Sequence, residues 1–364
     1  MIYVSEGLLY ICFAVLTGAL LLRIVPEDRR PSVYVPNGLL LACAIAIPVL
    51  SYVPIHNLAV VFGKEFNMTY PAVLKSILLD INTGKAWVWT AIGSIGLAFL
   101  LGLKAFRDDK HMPKVALFIT FLLIVWLGYA SHASSLYGFK GLLTHSLHFL
   151  AVSVWIGILF VAGWFSKDAD NWRSFLRWFS PVAIAAVAVS LAAGLVLMSF
   201  TTPDYVNAWM LPYGQMLLIK HLLIVPLLLF GYTNGFLYKK IADRSNAFNP
   251  VRWLRAESAI ALLVLAATGI LGQQTPPHNV KETLQTVSPS PLFTGLYKGS
   301  FSPDLTLHFS MHTESLLMLA AAAVMAAGLL WTYRSNRLVP AVLMGMLTAV
   351  FGYLGLMFAV ASSF

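Results

Sequence analysis

Long apolar runs separated by short polar connections dominate the chain. Ten runs, at roughly residues 7–25, 33–55, 86–104, 114–131, 142–165, 179–200, 213–238, 252–272, 314–333 and 338–360, are each long enough to cross a hydrocarbon core of about 30 Å. Backbone groups in lipid must be satisfied within the segment, so these runs predict helices. No strand-type alternation competes with that reading. The expectation is an all-α polytopic transmembrane helical bundle of about ten spans. After the second run, Thr69-Tyr70-Pro71 opens a stretch too short to span, which predicts a short interfacial helix. Residues 273–310 are rich in Pro, Ser and Thr and read as an extended outer loop or lid. Within them, Ser302-Pro303-Asp304 has the marks of a helix start: a cap, proline at the first position and an acid in the first turn. The ninth helix is therefore expected to begin ahead of its membrane span.

Charge gives these spans a direction. The odd-numbered connections hold Arg23, Arg29 and Arg30; Lys104, Arg107, Lys110 and Lys114; Lys167, Arg173 and Arg177; Lys239, Lys240, Arg244, Arg252 and Arg255; and Arg334 and Arg337. The even-numbered ones hold only Lys64, Lys75, Lys85, Lys140, Lys281 and Lys298, and Lys220 lies within a span. Basic residues favour the cytoplasmic side, so both termini are expected to be extracytoplasmic. The net charge of +9 then reflects membrane orientation, and nucleic acid is not an expected partner. With 59% hydrophobic and 11% charged residues, the expected location is the cell inner membrane, with lipid as the surrounding partner. Met1 to Glu6 lack a positive stretch, so the first run is expected to stay as a helix and not to be cleaved as a signal peptide. Cys12 and Cys43 lie in separate apolar runs without a CxxC spacing and read as packing residues.

Histidine distribution supplies the candidate chemistry. Of nine histidines, only His111 falls on the expected cytoplasmic side. His145 and His148 are three apart and share a helix face that continues through Val152 and Trp155. Two imidazoles one turn apart can chelate one ion, and copper, zinc and iron all accept imidazole. The competing reading is a pair of hydrogen-bonded interfacial histidines. His132 closes the fourth span, and the short connection after it would bring it near His145 and His148 as a third ligand. His308 and His312 are four apart and would share a face if the ninth helix began near Pro303; Met311 beside them adds a thioether suited to Cu(I), unless it merely packs. Lys220 and His221 form an ionisable pair about 10 Å along the seventh helix from Tyr213, where a buried lysine is either functional or snorkelling. Glu257 reads as an interfacial acid paired with Arg252 or Arg255. His56 and His278 are isolated, and tryptophans such as Trp87, Trp89, Trp164, Trp172, Trp178 and Trp209 read as interfacial anchors.

No Gly-x-x-x-x-Gly-Lys-Ser/Thr loop and no Gly-x-Ser-x-Gly elbow occurs, so neither ATP-driven pumping nor enzymatic catalysis is expected. The stretch from Gly128 to Gly157, with His132, His148 and His-Phe-Leu-Ala-Val-Ser-Val-Trp155-Ile-Gly157, resembles the CopD copper-resistance and copper-uptake membrane proteins. Tyr213-Gly-Gln-Met-Leu-Leu-Ile-Lys220, Arg255-Ala-Glu257 ahead of Thr275-Pro276-Pro277, and Thr83-Gly84-Lys85-Ala86-Trp87 are also similar to that family. The resemblance implies copper transport across the bacterial inner membrane, with copper as Cu(I) or Cu(II). It also implies a periplasmic copper-binding partner of the CopC type, which some relatives carry fused. No such domain stands at the start of this chain, so a separate partner or none is expected. The family has about eight spans. The implied division is therefore residues 1–272 as a CopD-like membrane domain, 273–313 as an extracytoplasmic loop and 314–364 as an additional helical hairpin.

Two readings follow. In the first, outer-side His132, His145, His148, His221, His308 and His312, supported by Lys220, Trp155 and Met311, take up copper, with Met216 as a further donor and a copper sensor as a variant. In the second, histidines on separate helices ligate haem in a membrane redox protein. An assembly subunit without metal is the bland alternative.

Overall fold

The structure, a computed structural model, describes residues 2–107, 109–237, 249–299 and 301–363. Lys239, Lys240 and Arg244 of the seventh connection lie outside the described residues. The helices are α1 (Ile2–Ile24), α2 (Asn37–Glu65), α3 (Tyr70–Asp80), α4 (Asn82–Gly102), α5 (Lys104–Arg107), α6 (Met112–Tyr129), α7 (His132–Phe165), α8 (Trp172–Thr201), α9 (Pro212–Tyr232, continued as a π-turn through Leu237), α10 (Pro250–Leu271), α11 (Val280–Thr286), α12 (Pro291–Leu296), α13 (Thr313–Arg334) and α14 (Leu338–Phe358). Among the described residues, ten helices are long and apolar enough to cross a membrane, all but α3, α5, α11 and α12. The chain is an all-α polytopic bundle and a multi-pass membrane protein. A small antiparallel sheet joins β1 (Thr306–Phe309) to β2 (Val360–Ser363).

The chain divides into two compact units, Met1–Leu197 and Met198–Phe364. In the first, α1 packs on α2, α6 and α7, and every residue from Cys12 to Leu20 is buried. A helix apolar all round suits such a central place. Gly18 of α1 and Gly157 of α7 meet backbone to backbone, and a side chain at either would strike the other helix. In lipid, where burial alone drives no association, small residues permit that approach. Gly138 interrupts α7 with φ 55°, a conformation open to glycine, so His132–Tyr137 forms a short segment turned away from the main helix. The predicted short helix is α3, whose Val73 and Ile77 pack on Ile55 and Ala59. Packing against α3 carries α2 on to Glu65 despite Pro48 and Pro54, so residues 56–65, expected as loop, are helical. The connections at 25–36 and 165–171 are tied together: Tyr34 N–H donates to the Phe165 carbonyl at 3.0 Å and Lys167 N–H to that of Ser32 at 2.9 Å.

In the second unit, α9 packs on α10 and α14, and α14 pairs with α13. Residues 273–310 are not an extended lid. Asn279 and Ser290 cap α11 and α12 with their side chains. Val280, Leu284, Phe293, Leu305 and Leu307 join one core with Trp209, Met210, Leu218, Met357 and Val360. The Asn207 side-chain carbonyl accepts the Leu307 N–H at 2.7 Å, fixing β1 against the turn before α9. Trp209, expected as an interfacial anchor, is 1% exposed in this core, and Trp172 is also buried.

Candidate functional site

In the first unit, His148 sits on the main part of α7 and turns towards α8. Its Nδ1 lies 2.8 Å from the Ser190 carbonyl oxygen. A carbonyl only accepts, so Nδ1 carries a proton, and when the ring is neutral its lone pair is at Nε2. That tautomer binds metals, and the backbone carbonyl stands where the outer partner of a metal-ligating histidine usually stands. One turn along α8, Gly194 faces the ring; a Cβ there would lie 3.5 Å from Cε1. His145, half-buried, lies one turn away on the same helix. Buried Trp155 lies two turns beyond His148.

His132 opens the short segment ahead of Gly138 and is exposed. The neighbouring Ala133 backbone lies against Gly141, one turn before His145. Among the described residues, no three or more His, Cys, Asp or Glu side chains are gathered so as to hold a metal. The three-imidazole shell expected from His132, His145 and His148 is therefore not preassembled. The rotation of the main helix does not set the direction of His132, because the Gly138 turn intervenes.

In the second unit, His221 is half-buried on α9, and its Nδ1 lies 2.8 Å from the Tyr205 hydroxyl. Tyr205 belongs to the connection between α8 and α9 and packs edge-on against Trp209. Burial pushes its hydroxyl up to about 12, so it stays protonated at physiological pH. Met198 and Met216 join Tyr205 around Tyr213, Leu217 and Leu271, which places thioethers in the same cluster as the phenol. Neighbouring Lys220 is half-buried and has no acidic partner among the described residues. The resemblance-bearing Gln215 donates to the Trp209 carbonyl at 2.6 Å and accepts from Tyr353, so that stretch also ties the helix end to its connection.

Other expectations change. His308 and His312 do not share a helix face. His308 lies exposed in β1 opposite Ala361, and His312 precedes α13, where Ser315 accepts its backbone N–H at 3.0 Å. Pairing of 306–309 with 360–363 holds this stretch extended where a helix start was expected. Met311 is 58% exposed. His278 Nδ1 meets the Phe200 carbonyl at 2.9 Å, and His56 Nδ1 meets the Tyr70 hydroxyl at 2.9 Å. His111 precedes α6, with its N–H on Asp109. Glu257 is no interfacial acid: it is 2% exposed and accepts from Asn234 Nδ2 at 2.7 Å, while Asn234 accepts from Tyr333. Composition hid Tyr205 and Ser190 because their roles arise only from tertiary placement. An intramembrane position was the one available signal for Glu257.

Residues 1–142 match the family described as Copper resistance protein D-like, N-terminal domain, and residues 173–271 match Copper resistance protein D. The Copper transport protein CutJ of Bacillus subtilis (strain 168) is 26% identical over 251 residues, covering 66% of this chain and 46% of that protein. The chain thus spans about half the length of the curated relative it matches. No solved structure matches it.

Proposed function

We propose that this chain, which belongs to the copper resistance protein D family, carries copper ions inward across the bacterial inner membrane from histidines at its extracytoplasmic side. The observation that carries this reading is the 2.8 Å contact between His148 Nδ1 and the Ser190 carbonyl, which supports a ring whose Nε2 is the metal donor. His145 is the nearest second donor in sequence, and His132 moves in on its hinged segment when copper arrives. His221, with Tyr205 and Met216, supplies a station of its own in the second unit, supported by Lys220, while Trp155 supports the one in the first. His308, His312 and Met311, exposed ahead of α13, take up copper from a periplasmic donor of the CopC type.

Both termini are assigned to the extracytoplasmic side. The basic bias supports this, as does the tie between the basic first and fifth connections, which belong on one side. The family matches end at residue 271, which supports an eight-span membrane domain over 1–272, a packed segment over 273–313 and an added hairpin over 314–364. An inward cation gains about 2.3 kcal/mol per charge per 100 mV from the membrane potential, so inward movement requires no nucleotide.

The test is copper accumulation in cells expressing the chain, measured by elemental analysis beside a triple His132→Ala/His145→Ala/His148→Ala variant. Raised cell copper that falls to background in the variant, with equal membrane insertion, is the expected result. Cell copper that ignores the chain removes the transport reading.

A further inference from the structure

Glu257 is a carboxyl group buried inside the second unit, about 10 Å along α10 from Pro250. Asn234 Nδ2 donates to its Oε2 at 2.7 Å and also reaches the Trp253 carbonyl at 3.4 Å. A carbonyl only accepts, so this second contact settles which end of the amide faces the acid. Tyr333 of α13 donates to Asn234 Oδ1 at 3.1 Å from the other side. Asn234 stands on the π-turn at the end of α9, and such turns often mark functional positions. Glu257 Oε1 makes no hydrogen bond among the described residues. It lies at the contact with Gly231 of α9, where a Cβ would come within 3.3 Å of it. Phe230, Trp253 and Tyr333, each at most 1% exposed, wall the network. The Trp253 and Tyr333 rings meet at 4.4 Å. Tyr333 lies beyond residue 271, where the family match ends, so the last helical pair supplies part of this site.

No ion pair offsets the acid among the described residues. Arg252 and Arg255 on its own helix are exposed, as are Arg334 and Arg337 beside Tyr333. Lys220 and His221 lie about 15 Å back along α9 from Gly231. On α14 there is no charged residue, and its Tyr353 donates to Gln215. The titratable group nearest Glu257 is therefore the Tyr333 hydroxyl, reached through Asn234.

We propose that Glu257 is a proton-binding site whose carboxyl holds one proton while the second unit is empty and gives it up when a copper ion enters that unit. A buried charge is costly unless it is paired, and acids within spans stand where protons are exchanged. Release breaks the Oε1–H bond, leaves its electron pair on the carboxylate and passes the proton to water. No electron moves. One Cu(I) in and one proton out leave the net charge of the unit unchanged, which suits its apolar and aromatic wall. When the ion leaves, the carboxylate takes a proton back. The inference rests on the copper reading above and deepens it, since it names what balances the charge of the ion.

The experiment uses the purified full chain in detergent, with Cu(I) added anaerobically as its acetonitrile complex. Infrared difference spectra between the copper-free and copper-loaded protein are recorded for the wild type, Glu257→Gln and Tyr333→Phe. Proton release is read with an indicator dye. The expected result is a carboxylic C=O band that the wild type loses on copper loading. That band is missing from Glu257→Gln and shifted in Tyr333→Phe, where the amide facing the acid loses its other partner. The wild type should also release one more proton per copper than Glu257→Gln. Copper that binds without loss of a carboxylic band, or a band loss that is the same in wild type and both variants, overturns the site. If Glu257→Gln cannot be isolated folded, the shift in Tyr333→Phe decides. Cell copper accumulation separates the two ideas. Accumulation by a chain whose carboxylic bands ignore copper sinks the proton site alone. A Glu257 band lost on copper loading, in a chain that leaves cell copper unchanged, sinks the transport reading alone.

Discussion

His148 and His221 are held at the same distance through the same ring atom, yet by partners of different character. Nδ1 of each lies 2.8 Å from an oxygen, a backbone carbonyl for His148 and the Tyr205 hydroxyl for His221. The carbonyl can only accept, so it fixes the tautomer of the neutral His148 ring with the lone pair at Nε2. The phenol can donate or accept, so the neutral His221 ring holds its lone pair at Nε2 only when its own Nδ1–H donates to Tyr205. On the proposed function, the His148 niche would be preset for an ion, and that of His221 would choose its proton arrangement as the ion arrives. The identity of the oxygen, more than its distance, separates the two rings.

The largest effect that can break this comparison is His148→Ala. It is expected to weaken copper binding by on the order of 100-fold or more, since it removes a ligand where loss of an outer partner alone costs about 10–100-fold. His221→Ala should cost less. Copper titration of both variants checks the order, and a reversal would break the contrast. Next comes Gly194, which faces the His148 ring. Gly194→Leu should push the ring off the Ser190 carbonyl and weaken binding about 10–100-fold. Gly194→Ala should be nearly silent in the same titration, because its Cβ meets the ring at an ordinary 3.5 Å.

Tyr205→Phe sharpens the other side. It should lower copper affinity by about 10-fold or less, the low end of an outer-partner loss, and leave the His148 niche untouched. It should also lower stability by about 1–3 kcal/mol, because a half-buried imidazole loses its partner. Thermal unfolding in detergent reads this directly. The smallest effect is in pH. The folded Tyr205 hydroxyl titrates at about 12 against an ordinary 10.0. The neutral phenol is therefore favoured in the fold, and its stabilisation is full below 10 and lost as pH rises towards 12. A pH series of unfolding midpoints should show this alkaline fall shrink in Tyr205→Phe.

The ten spans were legible because lipid leaves an apolar run of that length almost no choice but helix. The α3 helix was legible from Thr69-Tyr70-Pro71 for a local reason of the same kind. The stretch around His308 was not. Its local signature at Ser302-Pro303-Asp304 favours a helix, but pairing with residues 360–363 at the far end of the chain overrides it. The site divides in the same way. The His145–His148 face follows from helical spacing, whereas the Ser190 carbonyl is 42 positions away and any residue type would offer it. The Gly138 turn, which removes His132 from the rotation of the main helix, depends on a positive φ that a single glycine permits without announcing.

The most direct test is metal analysis with an absorption spectrum on the purified protein, wild type beside His148→Ala. Copper bound by the wild type, sharply reduced in the variant and without a Soret band, is the predicted result. Equal copper in the two proteins, or a Soret band marking haem in place of copper, would contradict the account.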